Sequence, residues 1–305
     1  MESKKENVIL EWVKALLHGV SQVLLIENAI SGAIILVAFY IASIEVGIAA
    51  TIAVIVGTLT AKLLGAKEEN IKAGLFGFSP VLVGIAAVTF MQGSSKWAIV
   101  VLGAIAATFI TLFVSRVLSK WELPGLTFPF ILVTWLVLLA SYGMQNLHVG
   151  LEGSLPQVIT ETGTITDWVA ALTKGIGEVF ILDSVWASSL IFGAIVVAGI
   201  KEAARTLMAI ATSLGFVLIS GMDLLTFSMG LYSYNIILTF LAAGVFMKVT
   251  TRNVVLTIFG GILTLVLDIV ISALVAPYGI PILTMPFVLA TWIMLLIAKE
   301  LDIEQ

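Results

Sequence analysis

The chain contains no cysteine and only two histidines. Disulfides, thiolate catalysis and cysteine-based metal sites are therefore excluded. His18 and His148 stand far apart and show no ligand spacing. With no paired histidines and no Ser-His-Asp or metal constellation, the chain does not read as an enzyme, and no cofactor is expected. Charge is scarce as well. Of 305 residues only 11% are charged, while 60% are hydrophobic and the mean hydropathy is +1.15. No nucleic-acid partner is expected, and the net charge of −4 decides little in so apolar a chain. The opening MESKKENVILEW is charged and leads into an amphipathic segment, so no cleavable signal peptide is expected.

What is abundant is apolar sequence in long runs. About 20 apolar residues cross a bilayer core, and ten such runs are present. They cover roughly 28–45, 46–64, 72–92, 97–118, 123–143, 184–200, 202–221, 226–247, 253–276 and 281–298. The expected class is an all-α integral membrane protein whose first spans direct its own insertion and whose outer surface meets lipid. With the N-terminus inside, thirteen lysines and arginines fall on inner segments and only Lys96 and Lys174 on outer ones. That bias predicts a multi-pass protein of the plasma membrane with both termini cytoplasmic.

The stretch that organises the chain occurs twice. Leu123 to Trp135 reads LPGLTFPFILVTW, and Ile280 to Trp292 reads IPILTMPFVLATW. Eight of thirteen positions are identical at an offset of 157. Pro129 and Pro286 lie in apolar runs and donate no backbone hydrogen bond. The carbonyls four residues earlier, on Gly125 and Ile282, are therefore expected to lose their usual partners. Such groups are tolerated at membrane depth only when buried in protein or lining a polar cavity. Thr127 and Thr284, two residues before each proline, are thereby candidates for a pore or binding site.

The duplication extends further. Gly19 to Glu27 aligns with Gly175 to Asp183, and Gly74 to Leu82 with Gly230 to Leu238, both at an offset of 156. Two five-span copies of one unit must insert with opposite orientations. The expected architecture is therefore ten transmembrane helices in two inverted five-helix repeats, and such folds commonly hold substrate between halves near the midplane. The boundaries read 1–143 for the first repeat, 144–165 for a polar outer linker and 166–305 for the second repeat. A shorter, polar-interrupted segment opens each half, about 9–26 and 166–182, and is read as a re-entrant pore helix. An amphipathic surface helix is the competing reading for 9–17.

LPxxTxPF, complete at Leu123 to Phe130 and with Ile280 replacing Leu in the second copy, resembles the signature of the urea transporter family. The resemblance implies a passive, channel-like path for urea, without cofactor or coupling ion, in each protomer of a homotrimer. It also implies a ladder of oxygens between apolar slots, carried over onto Gln22, Glu178, Thr127 and Thr284. The residues support that reading by themselves. Gln22 and Glu178 are equivalent positions on the pore helices, and a carboxylate at membrane depth is a functional candidate by default. A row of acceptors suits a solute rich in N–H donors, such as urea.

Apolar residues at matched positions complete the candidate set: Phe78 and Tyr234, Leu82 and Leu238, Leu25 and Ile181, with Val23, Val179 and Phe180 beside the polar pair. Two flat apolar walls would admit a planar molecule and offer a hydrated ion no compensation. The chain departs from the family pattern in two places. Gln22-Val23-Leu24-Leu25 replaces a QVFF-like run, and the Asn of a GFN-like motif is Ser79 in the first half and survives as Asn235 in the second. Glu27 and Asp183 are expected to cap or hydrogen-bond the re-entrant turns. Asp268 has no matched acid and is expected to face another helix or subunit. The alternative function is an ion-coupled secondary transporter of a small amide or amino acid, with Glu178 or Asp268 as the ion site.

Overall fold

The computed structural model describes residues 2–93, 95–144, 148–149 and 165–301. The chain separates into two compact units, Met1–Gly150 and Leu151–Gln305. Among the described residues each unit holds seven α-helices. The first contains α1 (Glu2–Ser21), α2 (Ala29–Ala42), α3 (Ile44–Leu63), α4 (Glu68–Lys72), α5 (Phe78–Phe90), α6 (Lys96–Leu118) and α7 (Phe128–Ser141). The second contains α8 (Ile165–Glu178), α9 (Val185–Ala198), α10 (Ile200–Ser220), α11 (Leu224–Ser228), α12 (Tyr234–Phe246), α13 (Thr251–Val275) and α14 (Met285–Glu300). Helices α2 and α9, α3 and α10, and α5 and α12 start 156 residues apart; α7 and α14 start 157 apart. A two-residue antiparallel pairing, Met91–Gln92 with His148–Val149, adds the only extended structure among the described residues. Most of the expected 144–165 linker lies outside the described residues.

The apolar runs are realised unevenly. Four helices are long and apolar enough to cross a membrane: α3, α10, and α6 and α13 with the 3-10 turns that extend them to Trp121 and Tyr278. The remaining long runs become helices of 13 to 16 residues: α2, α5, α7, α9, α12 and α14. Turns cut them short. Residues 73–77 ahead of α5 and 123–127 ahead of α7 are not helical, so parts of the expected spans 72–92 and 123–143 are turn rather than helix. Within the opening segment, Val8–Leu24 and Ala29–Ala42 form a pair bent by 76°. From Ala15 onward α1 is progressively buried, and it packs on α2, α3 and α5. The helix is tied down by an ion pair between Glu11 and Lys72 (3.0 Å), by Lys62 over the Trp12 ring, and in its last turn by His18 Nδ1 at 2.8 Å from the Lys72 carbonyl. The hydrogen-bonded Glu11 carboxylate holds the Lys72 ammonium above its ordinary pKa.

Two expectations are corrected. Pro129 and Pro286 do not interrupt helices; each occupies the first turn of α7 or α14. There the missing N–H would have had no intrahelical partner in any case. The carbonyls of Gly125 and Ile282 are taken instead by the N–H groups of Phe128 (3.3 Å) and Met285 (3.4 Å). The caps of the re-entrant turns are also not the acids. Asn28 accepts from Ile30 and Ser31 at the start of α2, and Ser184 accepts from Ala187 at the start of α9. Glu27 is exposed and Asp183 ion-pairs with Lys174 at 2.7 Å. A cap must sit where its side chain meets the first free N–H groups, one residue beyond each acid.

Candidate functional site

Each unit builds the same half-site from three pieces: the inner end of its first helix, the short central helix, and the start of its last helix. In the first unit α5 packs against both the turn at 22–24 and α7. In the second, α12 packs against both α8 and α14. Close approach of the first piece depends on glycine. Gly74 and Gly230 adopt φ of +78° and +84°, and a Cβ on either would lie 2.3 Å from the backbone nitrogen of Gly19 or Gly175.

The end of each pore helix has one geometry in both units. Leu25 N–H donates to Gln22 O (2.9 Å) and Ile26 N–H to Ser21 O (3.4 Å). Likewise Ile181 N–H donates to Glu178 O (3.0 Å) and Leu182 N–H to Gly177 O (3.2 Å). This is the Schellman closure, whose left-handed residue is usually glycine. Here it is Leu25 at φ 60° and Ile181 at φ 59°. A β-branched residue in that region is a true outlier, and such strain costs on the order of 1–3 kcal/mol. Both side chains are half-buried. Large apolar groups are thus kept at the point where the chain turns back, in the positions expected for slot walls.

The polar groups follow the same plan. Gln22 is half-buried, and its Nε2 donates to the Ala73 carbonyl at 2.9 Å. Since a carbonyl can only accept, this bond sets the amide orientation and points Oε1 away as the acceptor. Glu178, its counterpart, is also half-buried and ends α8. Thr127 and Thr284 directly precede α7 and α14 and are 3% and 2% exposed. Each follows a leucine in the left-handed region, Leu126 at φ 47° and Leu283 at φ 52°. That repeated strain was not visible in the sequence; the only hint is the invariant Leu-Thr pair within the duplicated motif.

The apolar candidates divide by burial. Phe78 is half-buried, whereas Val23, Leu82, Val179, Phe180 and Leu238 are at most 1% exposed. Tyr234 is buried too, and its hydroxyl donates to the Leu283 carbonyl at 2.7 Å. Asp268 meets another helix of its own unit: Asn235 Nδ2 donates to its Oδ1 at 2.7 Å. Among the described residues, no three His, Asp or Glu side chains are grouped to hold a metal ion.

A family model described as urea transporter matches residues 13–299, from the first pore helix to the end of α14. The chain belongs to the urea transporter family. The match spans both copies of the signature and both half-sites. The chain is 29% identical over 312 residues to urea transporter 1 of Ovis aries, covering 97% of this chain and 80% of the relative. It is 30% identical over 313 residues to urea transporter 1 of Capra hircus and 28% to that of Mus musculus, with the same coverage. An all-helical membrane protein of this family accounts for the apolar helices and for their duplication around one signature.

Proposed function

We propose that this chain conducts urea passively across a membrane. The observation that carries the reading is the duplicated half-site in a member of the urea transporter family. Each unit ends a pore helix with an acceptor side chain, Gln22 or Glu178, and sets a threonine, Thr127 or Thr284, at the mouth of its signature helix. Urea carries two NH2 groups and one carbonyl oxygen. Acceptors replace the water its N–H groups give up, while apolar side chains such as Leu25, Ile181 and Phe78 withhold compensation from an ion. The names of the relatives support urea as the solute.

The finer reading is as follows. The protein resides in the plasma membrane in contact with lipid, with both termini in the cytoplasm, assembles as a homotrimer, and performs no chemistry on its solute. Val23, Val179, Phe180, Leu82, Leu238 and Tyr234 back the half-buried side chains that meet urea. Stopped-flow urea efflux from proteoliposomes, with and without proton and sodium gradients, tests the proposal. Fast efflux independent of either gradient is the expected result. Flux that appears only under a gradient would replace it with an ion-coupled mechanism.

A further inference from the structure

Asp268 is a buried carboxylate on α13, 2% exposed, that makes no ion pair among the described residues. Such a group is costly at membrane depth, and the duplicated site does not account for it. At the aligned positions of the first unit, 111 and 112, stand Thr and Leu, and the Thr111 hydroxyl donates to its own helix at Ala107 O, 2.7 Å away. What Asp268 touches is the amide of Asn235, on α12. That NH2 group donates twice: to Asp268 Oδ1 at 2.7 Å and to the Leu283 carbonyl at 3.3 Å. The same carbonyl accepts from the Tyr234 hydroxyl at 2.7 Å. Leu283 is the strained residue, φ 52°, that immediately precedes Thr284.

The chemistry of the amide makes the arrangement directional. An asparagine side chain has a donor end and an acceptor end of nearly equal size. Only the donor end can face a carbonyl. The Leu283 carbonyl by itself favours this orientation but holds it only through the 3.3 Å bond. The Asp268 carboxylate oxygen, 2.7 Å from the same nitrogen, is the second acceptor that locks it. One turn away on the same two helices the Thr239 and Thr264 hydroxyls bond to each other at 2.8 Å, so α12 and α13 are held in register beside the bridge. The first unit has Phe78 and Ser79 in place of Tyr234 and Asn235; the Phe78 ring carries no donor, and the Ser79 hydroxyl has no hydrogen-bond partner among the described residues.

We infer that Asp268 is a positioning residue for Thr284: by fixing the orientation of the Asn235 amide it anchors the Leu283 carbonyl and so aims the Thr284 hydroxyl. The inference rests on the reading of Thr284 as an acceptor for urea. The assignment is one-sided, since the first unit aims Thr127 without such a bridge.

The test is urea efflux from proteoliposomes of the full chain carrying Thr284→Val, Asp268→Ala, Asp268→Asn or Thr284→Val with Asp268→Ala. Thr284→Val and Asp268→Ala are each expected to slow efflux by about fivefold or more, the loss of one hydrogen-bonding partner. The double variant should be no slower than Thr284→Val alone, because the two residues act through one hydroxyl. Asp268→Asn, which keeps an acceptor oxygen for the amide, should restore most of the flux. Should Asp268→Ala yield no folded protein, Asn235→Leu enters the same cycle and must converge on Thr284→Val in the same way. Wild-type flux in Asp268→Ala, losses that multiply in the double variant, or an Asp268→Asn as slow as Asp268→Ala would each overturn the inference. Wild-type flux in Thr284→Val would instead overturn the acceptor role of Thr284, and with it the basis for this one.

Discussion

The two units share a backbone more closely than they share side chains. Left-handed residues recur at matched places: Leu25 and Ile181, Gly65 and Gly221, Gly74 and Gly230, Glu122 and Gly279, Leu126 and Leu283. Around that common trace the side chains diverge. The first unit has Gln22 where the second has Glu178, Asn28 as a cap where the second has Ser184, and Phe78-Ser79 where the second has Tyr234-Asn235 bridged to Asp268. What both units keep is the geometry that turns a pore helix and presents a threonine. The means of holding that geometry is free to differ.

The largest expected effect tests the shared part. Gly74→Ala and Gly230→Ala each place a Cβ 2.3 Å from a backbone nitrogen at a positive φ. Both should abolish monodisperse protein in size-exclusion chromatography. Tolerance of one but not the other would break the equivalence of the half-sites. Next come the acceptors. Glu178→Ala and Thr127→Val should slow urea efflux by roughly 1–3 kcal/mol each, because N–H groups of the passing solute go unpaired. Near wild-type flux in both, at matched expression, would remove these residues from the path.

The differences between the units give smaller, opposed effects on stability. Asn235→Ala strips a buried carboxylate of its donor and should lower stability by about 1–3 kcal/mol. Ser79→Ala deletes a buried hydroxyl that has no hydrogen-bond partner among the described residues and should be neutral or slightly stabilising. Thermal unfolding in detergent reads both, and equal losses would mean the first unit hides a network of its own. Gly279→Ala should cost about 1–2 kcal/mol, since an exposed alanine gains nothing for entering the left-handed region.

The smallest effect concerns the caps of the short helices. Asp223 accepts from Leu225 and Thr226 at the start of α11, and hydrogen bonds from Thr226 hold its carboxyl below the usual carboxylate range. Lys67, at the start of α4, provides no side-chain cap. A lowered native pKa means the cap contributes fully above the ordinary carboxylate value and fades as pH falls through the native one. Asp223→Ala should therefore lower the Tm slightly at neutral pH and not in strong acid, whereas Lys67→Ala should leave it unchanged at either.

Much of the fold was legible because membrane burial and gene-scale duplication both leave linear traces. Ten apolar runs and three aligned blocks indicate the helices and their repeat, but not the turns that shorten six of those runs to helices of 13 to 16 residues. The matched placement of Gln22 and Glu178 at the ends of the first helices, and of Thr127 and Thr284 ahead of the last ones, was legible for the same reason, since these residues occur in pairs. Asn28 and Ser184 were missed in favour of Glu27 and Asp183, although the cap chemistry is local. A one-residue error in a helix start moves the cap entirely, and apolar runs do not mark their first residue sharply.

The sequence by itself determined that this chain is an apolar, duplicated, cysteine-free membrane protein built around two copies of one signature. Composition and spacing are properties of the chain, and no folding is needed to read them. The tertiary structure alone decided that Pro129 and Pro286 start helices rather than kink them, that leucines and an isoleucine occupy the left-handed turns, and that Asp268 faces Asn235. Those facts depend on φ and on partners 33 residues apart in the chain, which close packing selects and a one-dimensional pattern does not record.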